Sequence, residues 1–171
     1  MPGEFTVEPL GAAHNRKGFS CGVAALDRYF HELASQDIRR RISNCFVACA
    51  ADRMVAAYYT FAATSFPLSD LPPDETKRLP RYPTVPAVRI GRLAVDQRFQ
   101  GRGLGAALLA DAAARALKAD AAAFTLLVDA KNDQAVAFYQ RFGFRILASQ
   151  PRTLFLPLAT AQKALLREGQ G

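Results

Sequence analysis

The sequence predicts a single α/β domain in which helices flank a central, mixed and twisted β-sheet. The chain has 171 residues and a mass of 18.6 kDa, which is enough for one sizeable core and too little for two ordinary domains. Hydrophobic residues are 50% and charged residues 22% of the chain, which argues against disorder, a collagen-like fibre and a coiled coil. Segments with helix and strand patterns alternate along the chain, as is typical of an α/β fold.

The first third of the chain predicts one helix and one β-hairpin. Residues 23–41 carry apolar side chains at helical spacing and end in three arginines, which suit either the negative end of a helix dipole or a binding role. Residues 45–51 and 54–63 are apolar runs on either side of the polar pair Asp52-Arg53, a pattern that indicates a hairpin.

A proline-rich basic loop is predicted over residues 67–86. This segment holds six of the ten prolines, and proline is excluded from regular central strands and from helix interiors. The loop also carries Lys77, Arg78 and Arg81. Long structured loops in compact domains are more often functional than idle.

The remainder of the chain predicts alternating strands and helices. We expect Asn132 to cap the last of these helices and Gly143 to end it. The predicted elements are a strand over 87–95, a helix over 103–118, a strand buried on both faces over 122–128, a helix over 133–142, and a hairpin of 144–148 with 153–158.

Charge and cysteine content predict where the protein works. The net charge of +7 and a pI near 9.7 favour either an anionic partner or simple solubility. An odd count of three cysteines forms no disulfide framework and indicates a reducing compartment. Cys45 and Cys49 lack a second Cys/His pair at metal-ligand spacing, so we expect no metal. The N-terminus has no signal-peptide pattern and no apolar run reaches about 20 residues, so we expect a soluble cytoplasmic protein without a membrane partner.

The segment from position 100 to 105 predicts a turn that binds a pyrophosphate. Its three glycines let backbone N–H groups point into one concavity, and the helix after it adds unpaired N–H groups and a positive dipole end. The alternative is a glycine-rich turn without a ligand. The residues are Gln100, Gly101, Arg102, Gly103, Leu104 and Gly105.

Two other phosphate-binding motifs fit this turn poorly. Residues 101–106 satisfy the loose dinucleotide pattern G-x-G-x-x-A, but too little chain remains after it to build a doubly wound nucleotide domain. The acid near the next strand, Asp120, precedes that strand instead of ending it. A P-loop is excluded because the turn does not lead into Gly-Lys-Ser/Thr.

Two segments resemble the GCN5-related N-acetyltransferase (GNAT) family. Gln100-x-x-Gly103-x-Gly105, between a strand and a helix, is similar to the family's acetyl-CoA motif. NDQAVAFYQRFGF, residues 132–144, is similar to its second cofactor segment. The resemblance covers roughly residues 40–158 and implies a single GNAT-like domain over 1–171 with a cofactor-binding core at about 87–144.

This resemblance implies acetyl-CoA as the cosubstrate and names residues for it. The strand before the turn would splay from the next strand and bind the pantetheine arm, and Tyr139 would be the general acid for the leaving thiolate. The alternative for Tyr139 is a core position, since residues 135, 138, 139 and 142 share a helical face. The implied cofactor-binding residues are Leu93, Ala94, Val95, the six residues of the turn, Asn132 and Phe138.

The strand before the turn lacks a carboxylate that could act as a base, and this limits which amines can accept the acetyl group. Asp96 comes only at its end. A lysine ε-amine with a pKa near 10.4 is under ~0.1% neutral at pH 7, whereas an α-amine with a pKa near 7.7 is roughly 15–20% neutral. The basic residues Lys77, Arg78, Arg81, Arg89 and Arg92 are candidates for tRNA phosphate contacts. Alternatively they are solvated or paired with Asp70, Asp74 and Glu75.

Within the acetyltransferases, the chain resembles the toxins of type II toxin–antitoxin systems that acetylate aminoacyl-tRNA. The matching segments are residues 21–48, 58–65, 79–96 and 126–144. This resemblance implies transfer of acetyl to the α-amine of the amino acid on charged tRNA, a block of translation, a homodimer, a ribbon-helix-helix antitoxin, and operator DNA bound only through that antitoxin. The alternatives are an acetyltransferase for a small amine or a protein N-terminus, and a non-catalytic module that senses acetyl-CoA or binds nucleic acid.

Overall fold

The computed structural model describes the backbone of residues 4–170 and the side chains of residues 4–167. The chain divides into two compact units, one of Met1–Ala62 with Gly91–Ala112 and one of Ala63–Ile90 with Ala113–Gly171. The assignment of one domain to residues 1–171 stays a prediction, and residues 1–3 of the N-terminal segment without a signal pattern lie outside the described part.

Eight strands and six α-helices make up most of the fold of the described residues. The strands are β1 (Thr6–Pro9), β2 (Asn44–Cys49), β3 (Val55–Pro67), β4 (Thr84–Ile90), β5 (Leu93–Val95), β6 (Thr125–Asp129), β7 (Arg145–Leu147) and β8 (Gln150–Pro157). The helices are α1 (Ala24–Arg28), α2 (Ala34–Arg39), α3 (Pro73–Thr76), α4 (Leu104–Lys118), α5 (Asp133–Arg141) and α6 (Leu158–Gln170).

The first unit is built on the predicted hairpin. β2 and β3 pair antiparallel, β1 adds to β2, and β5 adds to β3. Aromatic rings from the helix and the hairpin fill the core, where Phe30 stacks on Tyr58 with 4.4 Å between ring centroids. The hairpin prediction is therefore confirmed, while β1 carries no strand signal strong enough to be predicted.

The predicted first helix is confirmed, but it contains an unpredicted π-helical segment. α1 and α2 are joined by a π-helix over Tyr29–Leu33. A π segment closes its hydrogen bonds over one more residue, so it rotates the side chains of the next turn around the helix axis. Leu33, which the apolar spacing places on the core face, is accordingly 41% exposed.

The second unit holds a mixed sheet in the order β3-β4-β6-β8-β7, with β3 contributing its last residues. β4 and β6 are parallel, whereas β6–β8 and β7–β8 are antiparallel. Leu126, Leu127 and Val128 of β6 are each at most 1% exposed, which confirms a strand buried on both faces. The strand begins at Thr125, three residues later than predicted, and α6 was not predicted.

The prediction of one strand over 87–95 is wrong. β4 ends at Ile90 and pairs with β6, whereas β5 begins at Leu93 and pairs with β3. At the break, the N–H of Arg92 donates to the Thr60 side-chain hydroxyl (3.0 Å) instead of continuing a strand ladder. β4 also begins inside the predicted proline loop, because Pro86 is accommodated with its carbonyl accepting from Phe124 N–H (2.9 Å).

The helix ends agree closely with the sequence signals. The Asn132 side chain caps α5 by accepting from Ala135 N–H (2.9 Å), and Gly143 comes after the helix with φ +93°. Both predictions are confirmed. No helix in the described part of the chain is long and apolar enough to cross a membrane.

Candidate functional site

The predicted pyrophosphate turn adopts a backbone that depends on glycine. Gly101 and Gly103 have φ +81° and +79°, a region that residues with a Cβ rarely adopt. A Cβ built at either position meets no heavy atom within 4 Å. The need for glycine is therefore conformational, and the space beside the turn is open to a ligand.

The N-terminus of helix α4 lies directly after the turn and forms the second part of the predicted pyrophosphate site. Its first intrahelical hydrogen bond runs from Ala107 N–H to Gly103 C=O (3.1 Å). The N–H groups of Leu104, Gly105 and Ala106 consequently have no acceptor within the helix. Together with the exposed side chain of Arg102, they form an array suited to a diphosphate.

Gln100 holds the turn in place through side-chain hydrogen bonds to the backbone. Its side-chain Nε2 donates to the carbonyls of Val95 (3.0 Å) and Cys21 (3.2 Å). The sequence predicts Gln100 as a cofactor contact, but these two bonds fasten the turn to the end of β5 and to the loop before α1. We therefore assign its amide nitrogen a positioning role.

The register of β5 decides which main-chain groups are available to a ligand. Hydrogen-bonded positions alternate in an antiparallel pair, and Arg92 and Asp96 both bond to β3. Ala94 lies between them at the equivalent position, opposite Tyr58. The N–H and C=O groups of Leu93 and Val95 therefore point away from β3, whereas those of Ala94 face it.

Asp96, the one carboxylate near this strand in the sequence, is a structural residue. It is 1% exposed and accepts from the Ser20 N–H (3.1 Å), the Arg98 N–H (2.8 Å) and the Arg98 guanidinium (2.9 Å). Burial raises the pKa of Asp96, but these hydrogen bonds outweigh burial and the pKa is lowered. Such a carboxylate makes a poor proton acceptor.

Tyr139 lies in the second unit on α5, 4% exposed, with its ring edge-to-face against Phe138 and Phe144. Burial, and secondarily the charge of Asp129, raise the pKa of its phenol. The phenol therefore keeps its proton throughout the physiological range. Tyr139 is the buried residue of α5, whereas Phe142, directly after the helix, is 43% exposed. The burial of Tyr139 agrees with the alternative of a core position as well as with a catalytic one.

Asp129 is a charged neighbour of Tyr139 that the sequence prediction missed. It ends β6, and its carboxylate lies 3.3 Å from Arg89 Nε, without an aligned hydrogen bond, and accepts from Thr153 Oγ1 (3.2 Å). An acid directly after a buried apolar run is a readable signal, and it could have pointed to Asp129. The pairing also shows that Arg89 is already partnered within the chain.

The basic residues of the proline segment are solvent-exposed. Lys77, Arg78 and Arg81 are all exposed and form no ion pair with any other described residue. The acids that were expected to neutralise them have other partners, since Asp74 and Glu75 lie 3.0 and 3.4 Å from Arg145. The alternative of pairing with Asp70, Asp74 and Glu75 is therefore wrong for these three cations, whereas the alternative of a solvated surface agrees with their exposure.

Arg92 belongs to the first unit and packs on an aromatic ring. Its guanidinium carbon lies 3.6 Å from the centroid of the Tyr29 ring, a cation–π contact. The Tyr29 hydroxyl donates to Asp37 (2.8 Å). Of the five predicted tRNA contacts, Arg89 and Arg92 thus have partners in the chain, and the other three are exposed.

The mixed sheet and the glycine-dependent turn before α4 agree with an acetyltransferase fold, and a family comparison shows it. Residues 18–144 match the model of the acetyltransferase (GNAT) family, and the chain belongs to that family. Over 164 residues it is 35% identical to the tRNA-acetylating toxin of Mycobacterium tuberculosis (strain ATCC 25618 / H37Rv), a match that covers 95% of this chain and 97% of the relative.

Solved structures of similar chains include AtaT complexed with acetyl-methionyl-tRNAfMet (TM-score 0.85, 30% identity, 95% of this chain and 99% of that chain). AtaTR bound with AcCoA has a TM-score of 0.79 at 28% identity (95% and 99%). Solved complexes that contain the antitoxin AtaR are similar too. They are an AtaT mutant toxin bound to the C-terminus of the antitoxin AtaR (0.78, 26%; 94% and 98%) and the AtaT–AtaR complex bound to DNA (0.74, 26%; 94% and 99%).

Proposed function

We propose that this chain transfers the acetyl group of acetyl-CoA to the α-amine of the amino acid on charged tRNA and thereby blocks translation. The observation that carries the proposal is the full-length similarity to a tRNA-acetylating toxin and to AtaT with acetyl-methionyl-tRNA. The chemistry of this chain's own residues agrees with that substrate.

The buried state of Asp96 favours an acceptor that arrives already neutral. Because Asp96 is saturated with hydrogen bonds and has a lowered pKa, it is a poor base for a protonated amine. A lysine ε-amine requires such a base, since under ~0.1% of it is neutral at pH 7. An α-amine is roughly 15–20% neutral at that pH, and the ester of an aminoacyl-tRNA makes it more acidic still.

Main-chain groups of the first unit bind the cosubstrate in this proposal. The amides of the turn and of the first turn of α4, with Arg102, bind the diphosphate. The outward main-chain groups of Leu93 and the outward N–H of Val95 bind the pantetheine arm, since the Val95 carbonyl already accepts from Gln100 Nε2 (3.0 Å). Acetyl-CoA supplies the activated thioester, and the open, glycine-dependent turn of this chain fits its diphosphate.

Tyr139 holds the proton that the departing sulfur needs. When the neutral amine attacks the thioester carbon, the C–S bond breaks and the departing thiolate takes the phenol proton. The proton that the new amide nitrogen loses returns to the phenolate through solvent. The phenol is protonated at neutral pH because its ordinary pKa is near 10, and burial raises that pKa further. Asn132 caps the helix that carries Tyr139, and Phe138 packs against its ring, so both hold the phenol in position.

The exposed cations of the second unit bind the tRNA backbone. Lys77, Arg78 and Arg81 are free to meet phosphates, which give affinity and position without reading sequence. Tyr82 beside them is 69% exposed, and an exposed aromatic ring next to basic side chains suits base stacking. Arg89 and Arg92 make secondary contributions, because Asp129 and Tyr29 already engage them.

The partners of the toxin are part of the same proposal. An antitoxin, and DNA bound through it, are supported by the similarity to AtaT, which has been solved with the antitoxin AtaR and in an AtaT–AtaR complex with DNA. A homodimer and a ribbon-helix-helix type for the antitoxin are the finer part of this proposal and come from the resemblance of the sequence to the toxin family. Cys45 and Cys49 are buried and form no disulfide with another described residue, which supports a cytoplasmic location.

Labelled acetyl-CoA tests the proposal directly. The protein is incubated with total charged tRNA, with the same tRNA after deacylation, and with a lysine-containing peptide. We expect label on charged tRNA only. Brisk labelling of a small amine or peptide, with none on RNA, would replace the proposal with an acetyltransferase for small amines or protein N-termini. No transfer to any acceptor, with acetyl-CoA still bound, would indicate a non-catalytic sensor.

A further inference from the structure

Three potential metal ligands from distant parts of the sequence meet in the first unit. They are Glu8 on β1, His14 in the next loop and Cys49 at the end of β2, and one donor atom from each lies within 4.8 Å of the others. The sequence predicts no metal because Cys45 and Cys49 have no nearby Cys/His pair. The fold supplies the missing ligands instead from β1 and the loop after it.

The strand register explains why Glu8 and Cys49 face each other. Thr6 pairs with Cys49 and Glu8 pairs with Val47, so Glu8 and Cys49 are diagonal neighbours on one face of the sheet. A bulge between Ala48 and Cys49 shifts the pairing with β3 at the cysteine. Bulges re-aim a side chain, and they are common beside functional sites.

His14 is held in an orientation that suits a ligand. Its side chain is 5% exposed, its Nε2 lies 2.9 Å from a Glu8 oxygen, and its Nδ1 accepts from Gly11 N–H at 2.9 Å. The same Nδ1 lies 3.3 Å from the Gly11 carbonyl. Gly11 therefore satisfies either tautomer, including the one in which Nε2 is free for a metal and Nδ1–H donates to a backbone carbonyl.

We propose that Glu8, His14 and Cys49 bind one Zn²⁺, with water at the fourth tetrahedral position. Imidazole, thiolate and carboxylate are the ligands that zinc takes in proteins, at about 2.0–2.3 Å. A tetrahedron with those bonds separates its ligand atoms by roughly 3.3–3.7 Å. The three donor atoms lie within 4.8 Å of one another without an ion, so small side-chain shifts bring them to that spacing. The two negative ligands neutralise the ion.

The open position of the site has room for its water. A cavity of about 380 Å³ is lined by Glu8, Cys49 and Arg53, among others. On binding, the Cys49 thiol proton leaves to solvent, and the His14 proton moves from Nε2 to Nδ1 and is donated to the Gly11 carbonyl. The metal then links β1 to the end of β2, so it stabilises the N-terminal strand.

Binding of Co²⁺, as a spectroscopic probe for Zn²⁺, tests the site. The untagged full chain, stripped of metal, is titrated with Co²⁺. We expect a thiolate-to-Co²⁺ charge-transfer band that saturates at one ion per chain and disappears when Zn²⁺ is added. Cys49→Ala removes the band, and His14→Gln weakens binding by at least about tenfold. Cys45→Ala, a buried cysteine on the same strand outside the cluster, keeps it.

The controls separate ligation from folding. Glu8→Gln preserves the shape of its side chain, so we expect the apo fold, monitored by circular dichroism, to stay intact while metal affinity falls. Zn²⁺ should also raise the melting temperature of the unaltered chain and not that of Glu8→Gln. A chain that shows no band, or a band that persists in Cys49→Ala, overturns the proposal. None of these readouts depends on acetyl transfer.

Discussion

The predicted pyrophosphate turn of the first unit offers main-chain groups to a ligand, whereas the Tyr139 region of the second unit offers side chains. The turn offers main-chain N–H groups, and its shape depends on Gly101 and Gly103 at positive φ. The Tyr139 region offers side chains whose properties depend on their neighbours, such as Asp129 beside the phenol. A site made of main-chain groups tolerates side-chain substitutions that leave the backbone conformation unchanged. A site made of side chains loses its activity when a single reacting atom is removed.

The largest effect is expected from that one atom. Tyr139→Phe removes only the hydroxyl, so the ring contacts with Phe138 and Phe144 and the fold persist. If Tyr139 is the general acid, kcat for acetyl transfer to charged tRNA falls by about 10²–10⁴-fold, while the affinity for acetyl-CoA changes little. Steady-state kinetics with labelled acetyl-CoA measure both values.

Tyr82→Phe is the matched control, because its hydroxyl lies on an exposed ring. It should retain kcat. Full kcat in Tyr139→Phe would remove the general acid from this account and would leave Tyr139 as a packing residue.

A smaller loss should result when the main-chain site is strained. Gly103→Ala puts a Cβ at φ +79°, which costs about 1–2 kcal/mol, and the turn relaxes away from its ligand-binding shape. We expect the affinity for acetyl-CoA, measured by calorimetry, to fall about tenfold or more, which corresponds to ~1.4 kcal/mol.

Gly18→Ala separates strain from binding. Gly18 has φ +77° and, like Gly103, an open space around a built Cβ, but it lies outside the turn. The two variants should lose similar thermal stability, and only Gly103→Ala should lose acetyl-CoA affinity. Equal affinity in both would mean that the turn does not bind the diphosphate.

The exposed cations should act on KM more than on kcat. The double variant Lys77→Glu, Arg78→Glu should raise KM for charged tRNA several-fold. It should also reduce the slope of log affinity against log salt by roughly 0.7–0.9 for each phosphate that is no longer neutralised. Lys163→Glu, at an exposed lysine on α6, is the control. An unchanged salt dependence would assign the basic segment to solubility.

Asp96→Asn should lower the free energy of unfolding and leave kcat unchanged. The carboxylate has a lowered pKa, so its stabilisation is present above the unfolded pKa of about 3.9 and is lost as pH falls through the folded value. The variant should lose about 1–3 kcal/mol at neutral pH and show a shallower loss of stability in acid. A large fall in kcat of the folded variant would contradict a structural role and restore Asp96 as a base.

Elements that depend on local residue patterns are the ones that the sequence predicts well. Glycines at positive φ, the Asn132 cap and the run of buried residues in β6 leave local marks, so the turn, helices α4 and α5 and the hairpin are predictable. The pairing of Arg145 with Asp74 joins residues 71 positions apart and leaves no local mark. The split of the predicted 87–95 strand is equally non-local, because the partners of β4 and β5 lie on different strands.

The location of the acetyl label within the product tests the central claim most directly. Charged tRNA labelled by the protein is hydrolysed at its ester bond with mild alkali, and the fragments are separated. If the α-amine is the acceptor, all label is released as an N-acetyl amino acid. Label that stays on the polynucleotide, or that appears only on protein amines, would contradict the claim.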